Sequence, residues 1–178
     1  MNDLEKALDN LKSVILSKPL KKQGILINWL NNWAKLLKRE ENFNSKFLPF
    51  YKRGDIVYAD FGFNVGAEFG GIHYAVIMEN NNSKGNGNVI VVPLTSLDEN
   101  KSVNDIPHVD VYIGDKVIGW TNSATVAKPN QIRAISKMRI VKPITPKDKT
   151  ARLNGKQLQL IDDKLDEIMK KPLTNSKK

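Results

Sequence analysis

The chain has no cysteine among its 178 residues, which excludes disulfides and thiolate metal sites and makes a cytoplasmic protein the natural expectation. Histidine is scarce. His73 and His108 are too few for a histidine-rich metal site without carboxylate help, so no metal or other cofactor is expected. No apolar run approaches the roughly 20 residues needed to span a bilayer, so no membrane partner is expected. The opening stretch MNDLEKALDN is polar and acidic and lacks the apolar segment of a secretory signal. Glycine is nearly missing from the first 48 residues, where Gly24 stands alone. That scarcity removes the usual turn and strand-break signals and leaves helix as the natural reading there.

What remains is an ordinary globular composition, with 40% hydrophobic residues and a mean hydropathy of -0.39. The net charge of +9 is unevenly spread. Residues 1–50 carry nine basic against five acidic side chains, residues 51–141 nine against nine, and residues 142–178 ten against five. A basic excess at both ends raises the expectation of a nucleic-acid or acidic-protein partner. Solvated lysine-rich surfaces explain the same charge.

Three regions separate along the chain: a helical extension over 1–48, a strand-rich domain over 49–172, and a polar tail over 173–178 expected to be disordered. Leu4, Leu8, Leu11 and Ile15 recur at spacings of three and four and share one helix face. Pro19 breaks that pattern, and Leu26, Trp29, Leu30, Trp33, Leu36 and Leu37 form a second stripe. The pair reads as a helical hairpin, followed by a linker over Asn42–Pro49. The tryptophan stripe reads as packing, or as a docking face for a partner.

The centre reads as short strands over Asp55–Phe61, Ile72–Met78, Val89–Leu94, Val109–Ile113, Ser123–Ala127 and Met138–Val141. A glycine-rich loop runs from Phe61 to Gly71, and NNNSKGNGN over Asn80–Asn88 is a strong turn signal. Gln131–Ser136 reads as a short helical or turn segment. Leu158, Ile161, Leu165 and Ile168 define a closing helix over 154–171. Many short strands with frequent turns suggest a small barrel or sandwich.

Six stretches then occur in a telling order: Arg53–Val57 (RGDIV), Gly66–Gly71 (GAEFGG), Ala75–Asn80 (AVIMEN), Val91–Ser96 (VVPLTS), Pro107–Val111 (PHVDV) and Gln131–Ile135 (QIRAI). Together with the closing helix they make the chain resemble the MazF/PemK toxins of type II toxin–antitoxin systems. The resemblance covers about two-thirds of the chain and leaves 1–48 unmatched. It implies an α+β fold built on an SH3-like small β-barrel, and a homodimer. It implies metal-independent cleavage of single-stranded RNA in a groove near the dimer interface. It also implies a cognate antitoxin whose acidic tail fills that groove, with operator DNA as a further partner of the complex. The same barrel occurs in CcdB-type toxins that bind gyrase and are not nucleases, so that reading stays open.

Metal-free RNA cleavage uses the substrate's 2′-hydroxyl as nucleophile. It needs a base for that proton, an acid for the leaving oxygen and positive charge for the phosphorane. Family position points to Thr95 as a hydroxyl that bonds a phosphate oxygen, with Ser96 beside it. The family arginine that follows the Gly-Gly pair has no match, and His73 stands in its place. Two expectations follow. Imidazole titrates near neutrality, so His73 takes over as general acid or base. Alternatively, loss of the permanent cation leaves a domain that binds without cleaving. Gly66, Gly70 and Gly71 would let the loop backbone approach a phosphate. Glu68 would orient His73 or accept from a base edge. Phe61, Phe63, Phe69 and Tyr74 could stack bases; Phe63 and Phe69 are the better candidates, and Phe61 belongs to the core. Arg53 and Arg133 are candidate phosphate contacts, although Arg53, beside Asp55, suits an ion pair better. His108 reads as a strand-edge residue.

Overall fold

The computed structural model describes residues 2–117, 124–145 and 147–170. The expected tail over 173–178 and the first residue of the expected Ser123 strand lie outside the described residues. Two compact units divide between Phe43 and Asn44.

The first unit is helical: α1 spans Asp3–Leu16 and α2 spans Leu20–Glu40. Asn2 caps α1 reciprocally. Its side chain accepts from Glu5 N at 2.9 Å while the Glu5 carboxylate accepts from Asn2 N at 2.7 Å. Pro19 stands immediately before α2, where its missing N–H costs nothing, and its carbonyl accepts from Lys22 N and Gln23 N. The Gln23 side-chain amide donates to Leu16 O and Lys18 O, tying the connection between the helices. Trp29 and Trp33, one helical turn apart, stack with ring centroids 5.7 Å apart. Ile15 is buried, whereas Leu4 and Leu8 of the same stripe are exposed.

The second unit is one antiparallel sheet of seven strands with a helix on one face. The strands are β1 (Ile56–Asp60), β2 (Ile72–Ile77), β3 (Asn88–Ser96), β4 (Val111–Asp115), β5 (Ala124–Ala127), β6 (Arg133–Ser136) and β7 (Ile140–Lys142). The path runs β4-β5-β3-β2-β1-β7, with β6 also on β3. Among the described residues no pairing joins the two ends of this path, so the expected closed barrel is here an open, strongly folded sheet. The α+β class is as the sequence indicates.

β3 organises the sheet. Its first half pairs with β6, from Asn88↔Ser136 to Val91↔Arg133, and its second half with β5, from Leu94↔Ala127 to Ser96↔Thr125. Pro93 falls between the two partners, and its carbonyl accepts from Lys128 N at 3.0 Å. The N–H that proline lacks would face the same edge, where the ladder changes partner and no bond is required. The segment Gln131–Ser136, read as helix or turn, is instead a short 3-10 turn over Pro129–Gln131 followed by strand β6. β4 begins at Val111 because Asp110 N donates to Pro107 O at 2.8 Å and closes a turn first.

Alternation along the strands builds two cores. Val57, Ala59, Ala75, Ile77, Val89 and Val91 face one side. Ile56, Val76, Val92 and Leu94 face the other, where helix α3 (Gly155–Met169) places Ile161 at 0% exposure with Leu158 and Leu165 beside it. Burying Ile161 stabilises this layer by about 2–3 kcal/mol. Asn154 and Gln157 cap α3 reciprocally. The turn segment Asn80–Asn88 is firmly held. Ser83 O accepts from the buried Lys137 ammonium and Lys84 O from the Ser45 hydroxyl, and the Asn82 amide bonds Glu79 and Asn88 O. Ser45 and Lys46, part of the stretch read as a linker, thereby belong to the sheet unit.

Candidate functional site

The β2–β3 register runs Tyr74↔Leu94, Ala75↔Pro93, Val76↔Val92. Carried one residue further, it sets His73 opposite Thr95. Directly opposed residues of an antiparallel pair project from the same face, so by this register imidazole and hydroxyl share one face of the sheet. On its other flank His73 pairs with Ala59, whose small side chain leaves room beside the ring. Ser96, one residue on, projects from the opposite face and is not part of this group. The Thr95 hydroxyl makes a long 3.4 Å contact to Ser96 O, which leaves it capacity for another partner.

The loop Phe61–Gly71 is stapled shut at its base. Phe61 N donates to Gly71 O at 2.8 Å and Gly71 N to Gly62 O at 2.7 Å. The Asn64 amide bonds Phe61 O and Phe69 O, and Glu68 N donates to Val65 O at the exposed tip. A Cβ on Gly70 would lie 2.8 Å from Gly62 O, so that glycine serves the closure of the loop. Gly71 has φ +83°, and a Cβ there would lie 3.5 Å from His73 Nε2. The positive φ, rather than the contact with the ring, is what calls for glycine here.

His73 packs against Phe69 with ring centroids 4.6 Å apart, and Phe69 meets Phe61 edge-on at 5.4 Å. Phe69, read as a base-stacking platform, is therefore a wedge between His73 and the core. Arg133 lies over Phe61, with its Cζ 5.7 Å from the ring centroid. Gln131 links the two sides: its Oε1 accepts from Phe69 N at 3.0 Å and from Arg133 Nη2 at 3.3 Å. No carboxylate among the described residues pairs with Arg133. Burial lowers the His73 pKa below its ordinary 6.5, so the half-buried ring is neutral at pH 7 and offers a lone pair. Gln131 escaped the sequence reading as a site residue, although it opens one of the six matching stretches. Only its bond across to the loop reveals it.

The remaining candidates sit elsewhere. Arg53 grips Asp162 of α3 with Nη2 at 2.5 and 2.6 Å and donates through Nη1 to Met78 O, so its guanidinium ties the start of β1 to the helix. Glu68 stands exposed at the loop tip, away from the imidazole contact that Phe69 provides. Gly66 lies in the same tip with φ +61°. Phe63 is half-buried in the loop. His108 pairs through Nε2 with Glu167 Oε1 at 2.8 Å near the end of α3. Among the described residues no three His, Asp or Glu side chains cluster as metal ligands, and no helix is long and apolar enough to cross a membrane.

No curated protein matches the chain. Among solved structures it is similar to MazF (Form-I) from Deinococcus radiodurans, at 16% identity over 68% of this chain and 96% of that one, with a TM-score of 0.49. It is similar to MazE-MazF (Form-II) from the same organism at 16% identity, 68% and 96% coverage and a TM-score of 0.42. Toxin MazF-mt6 of Mycobacterium tuberculosis follows at 13% identity, 64% and 93% coverage and a TM-score of 0.41. The sequence model of one family, described as PemK-like, MazF-like toxin of type II toxin-antitoxin system, matches residues 52–169. With well over half of its length matched, the chain belongs to the PemK-like, MazF-like toxins of type II toxin–antitoxin systems.

Proposed function

We propose that this toxin is a metal-independent endoribonuclease that cuts single-stranded RNA with the neutral His73 imidazole as base. What supports the reading is the β2–β3 register: carried one residue past Tyr74↔Leu94, it puts His73 and Thr95 on one face, at the positions where the family resemblance puts its chemistry. His73 accepts the proton of the 2′-hydroxyl, whose oxygen attacks the adjacent phosphorus. The P–O5′ bond breaks, and the 5′-oxygen takes a proton from water while the imidazolium returns its own to solvent. The products are a 2′,3′-cyclic phosphate and a 5′-hydroxyl. The Thr95 hydroxyl donates to a non-bridging phosphate oxygen. Arg133, held by Gln131 and Phe61, supplies the permanent positive charge that the histidine substitution removed from β2. The toxin acts in the cytoplasm as a homodimer and is neutralised by an acidic segment of a cognate antitoxin. The complex with that antitoxin binds operator DNA.

The test is cleavage of a long single-stranded RNA in EDTA, with the product ends identified. Wild type yields cyclic-phosphate and 5′-hydroxyl ends, and Thr95→Val is slowed about 10²-fold. Intact RNA in the wild-type lane, or cleavage abolished by EDTA, overturns the reading.

A further inference from the structure

A second feature lies on the opposite face of the sheet from His73. Tyr74 of β2 is paired with Tyr58 of β1, and Tyr58 is paired with Lys142 of β7. Paired residues share a face, so three neighbouring strands present a row of ring, ring and ammonium. The two rings are half-buried, with centroids 4.7 Å apart and planes inclined by 42°. They form one wall of an open cleft of ≈ 340 Å³. Ile56, Lys142, Pro143, Asp148 and Lys149 complete its lining. A volume of this size falls at the lower end of small-molecule sites, about 300–1,000 Å³.

The walls are set before any ligand arrives. Pro143 is buried, and its carbonyl accepts from the buried Tyr51 hydroxyl at 2.7 Å. Asp148 also lines the cleft, but its carboxylate is committed to the loop. Oδ2 accepts from Ile144 N and Thr145 N, both at 2.8 Å. Lys142 and Lys149 are exposed and outnumber that carboxylate. A tilted pair of tyrosine rings in a cleft that also carries two lysines matches one kind of ligand: a planar ring carrying an anion. An apolar side chain has no use for the lysines, and an inorganic anion has none for the rings. Stacking of bases on aromatic rings beside positive charge is the usual mode of binding unpaired nucleic-acid units.

We infer that the Tyr58–Tyr74 cleft binds a nucleoside monophosphate unit, its base against the tyrosines and its phosphate between Lys142 and Lys149. The unit comes either from a free nucleotide or from one residue of an RNA strand. The inference does not rest on the proposed cleavage, because it concerns another face and is read by binding. The experiment is calorimetric titration of the full chain with adenosine 5′-monophosphate, adenosine, inorganic phosphate and a short 5′-phosphorylated RNA. The nucleotide binds, and adenosine and phosphate bind about tenfold or more weakly. Tyr58→Leu and Lys149→Ala each weaken the nucleotide about tenfold. Lys149 is exposed, so its loss cannot be blamed on misfolding. RNA binding that is lost in the same variants and competed by the nucleotide assigns a strand unit. Nucleotide binding without RNA binding assigns a free ligand. The inference is overturned if neither nucleotide nor RNA binds, if both variants bind like wild type, or if phosphate alone binds as tightly as the nucleotide.

Discussion

Replacing an arginine by a histidine changes what one position does with protons. Arginine stays charged at every accessible pH, whereas the His73 pKa is pushed below 6.5 by burial. The unfolded chain, with the ordinary pKa, therefore binds more protons than the folded one in the window just below 6.5. Stability falls as pH drops through that window and levels off once the folded-state pKa is passed. Thermal melts across this range show a slope that His73→Ala removes. The His73→Arg change restores the family cation, and it is expected to cleave RNA without a titration in this window. Arg53 makes a different residue-scale case. Its bidentate pair with Asp162 and its bond to Met78 O are partly buried, so Arg53→Ala costs about 2 kcal/mol of stability in denaturant titrations. The sequence hinted at this role, since an arginine beside Asp55 suits an ion pair. It could not reveal the partner, which lies 109 residues away.

At the scale of elements, the loop over Phe61–Gly71 and the strand β3 decide whether His73 meets Thr95. Gly71→Ala introduces strain at φ +83° and puts a methyl group in van der Waals contact with His73 Nε2. It is expected to lower both kcat for RNA and the melting temperature, as steady-state kinetics and calorimetry would show. Strands β1, β2 and β3 were legible because β-branched runs there are long and bounded by turn residues. β6 was not: four residues, Arg133–Ser136, show too little alternation to separate strand from turn, and only pairing with Asn88–Val91 decides. The same pairing carries Arg133 toward the loop, which is why its contact with Phe61 and Gln131 was invisible in the sequence. The packing of Phe69 was hidden for a related reason. A phenylalanine within a glycine-rich loop looks exposed until the loop is seen to fold back through Asn64 onto the core.

At the scale of the whole molecule, a net charge of +9 sets the terms for an RNA partner. Phosphate contacts release counterions, so the logarithm of RNA affinity falls linearly with the logarithm of salt concentration, and Arg133→Gln reduces that slope by about one contact. Fluorescence titrations with a labelled RNA at several salt concentrations measure both. The family and the order of its motifs were readable from six short stretches, whereas the open path of the sheet depends on long-range pairing that no local pattern encodes. The central claim is that histidine does proton chemistry at the position where the family resemblance leads one to expect arginine. The measurement that tests it most directly is the rate of RNA cleavage in EDTA from about pH 5 to about pH 9, for wild type and His73→Ala. The account predicts a wild-type rate that rises with pH through a midpoint below 6.5 and is lost in the variant. A wild type that leaves RNA intact at every pH, or a variant that cleaves as fast as wild type, would contradict it.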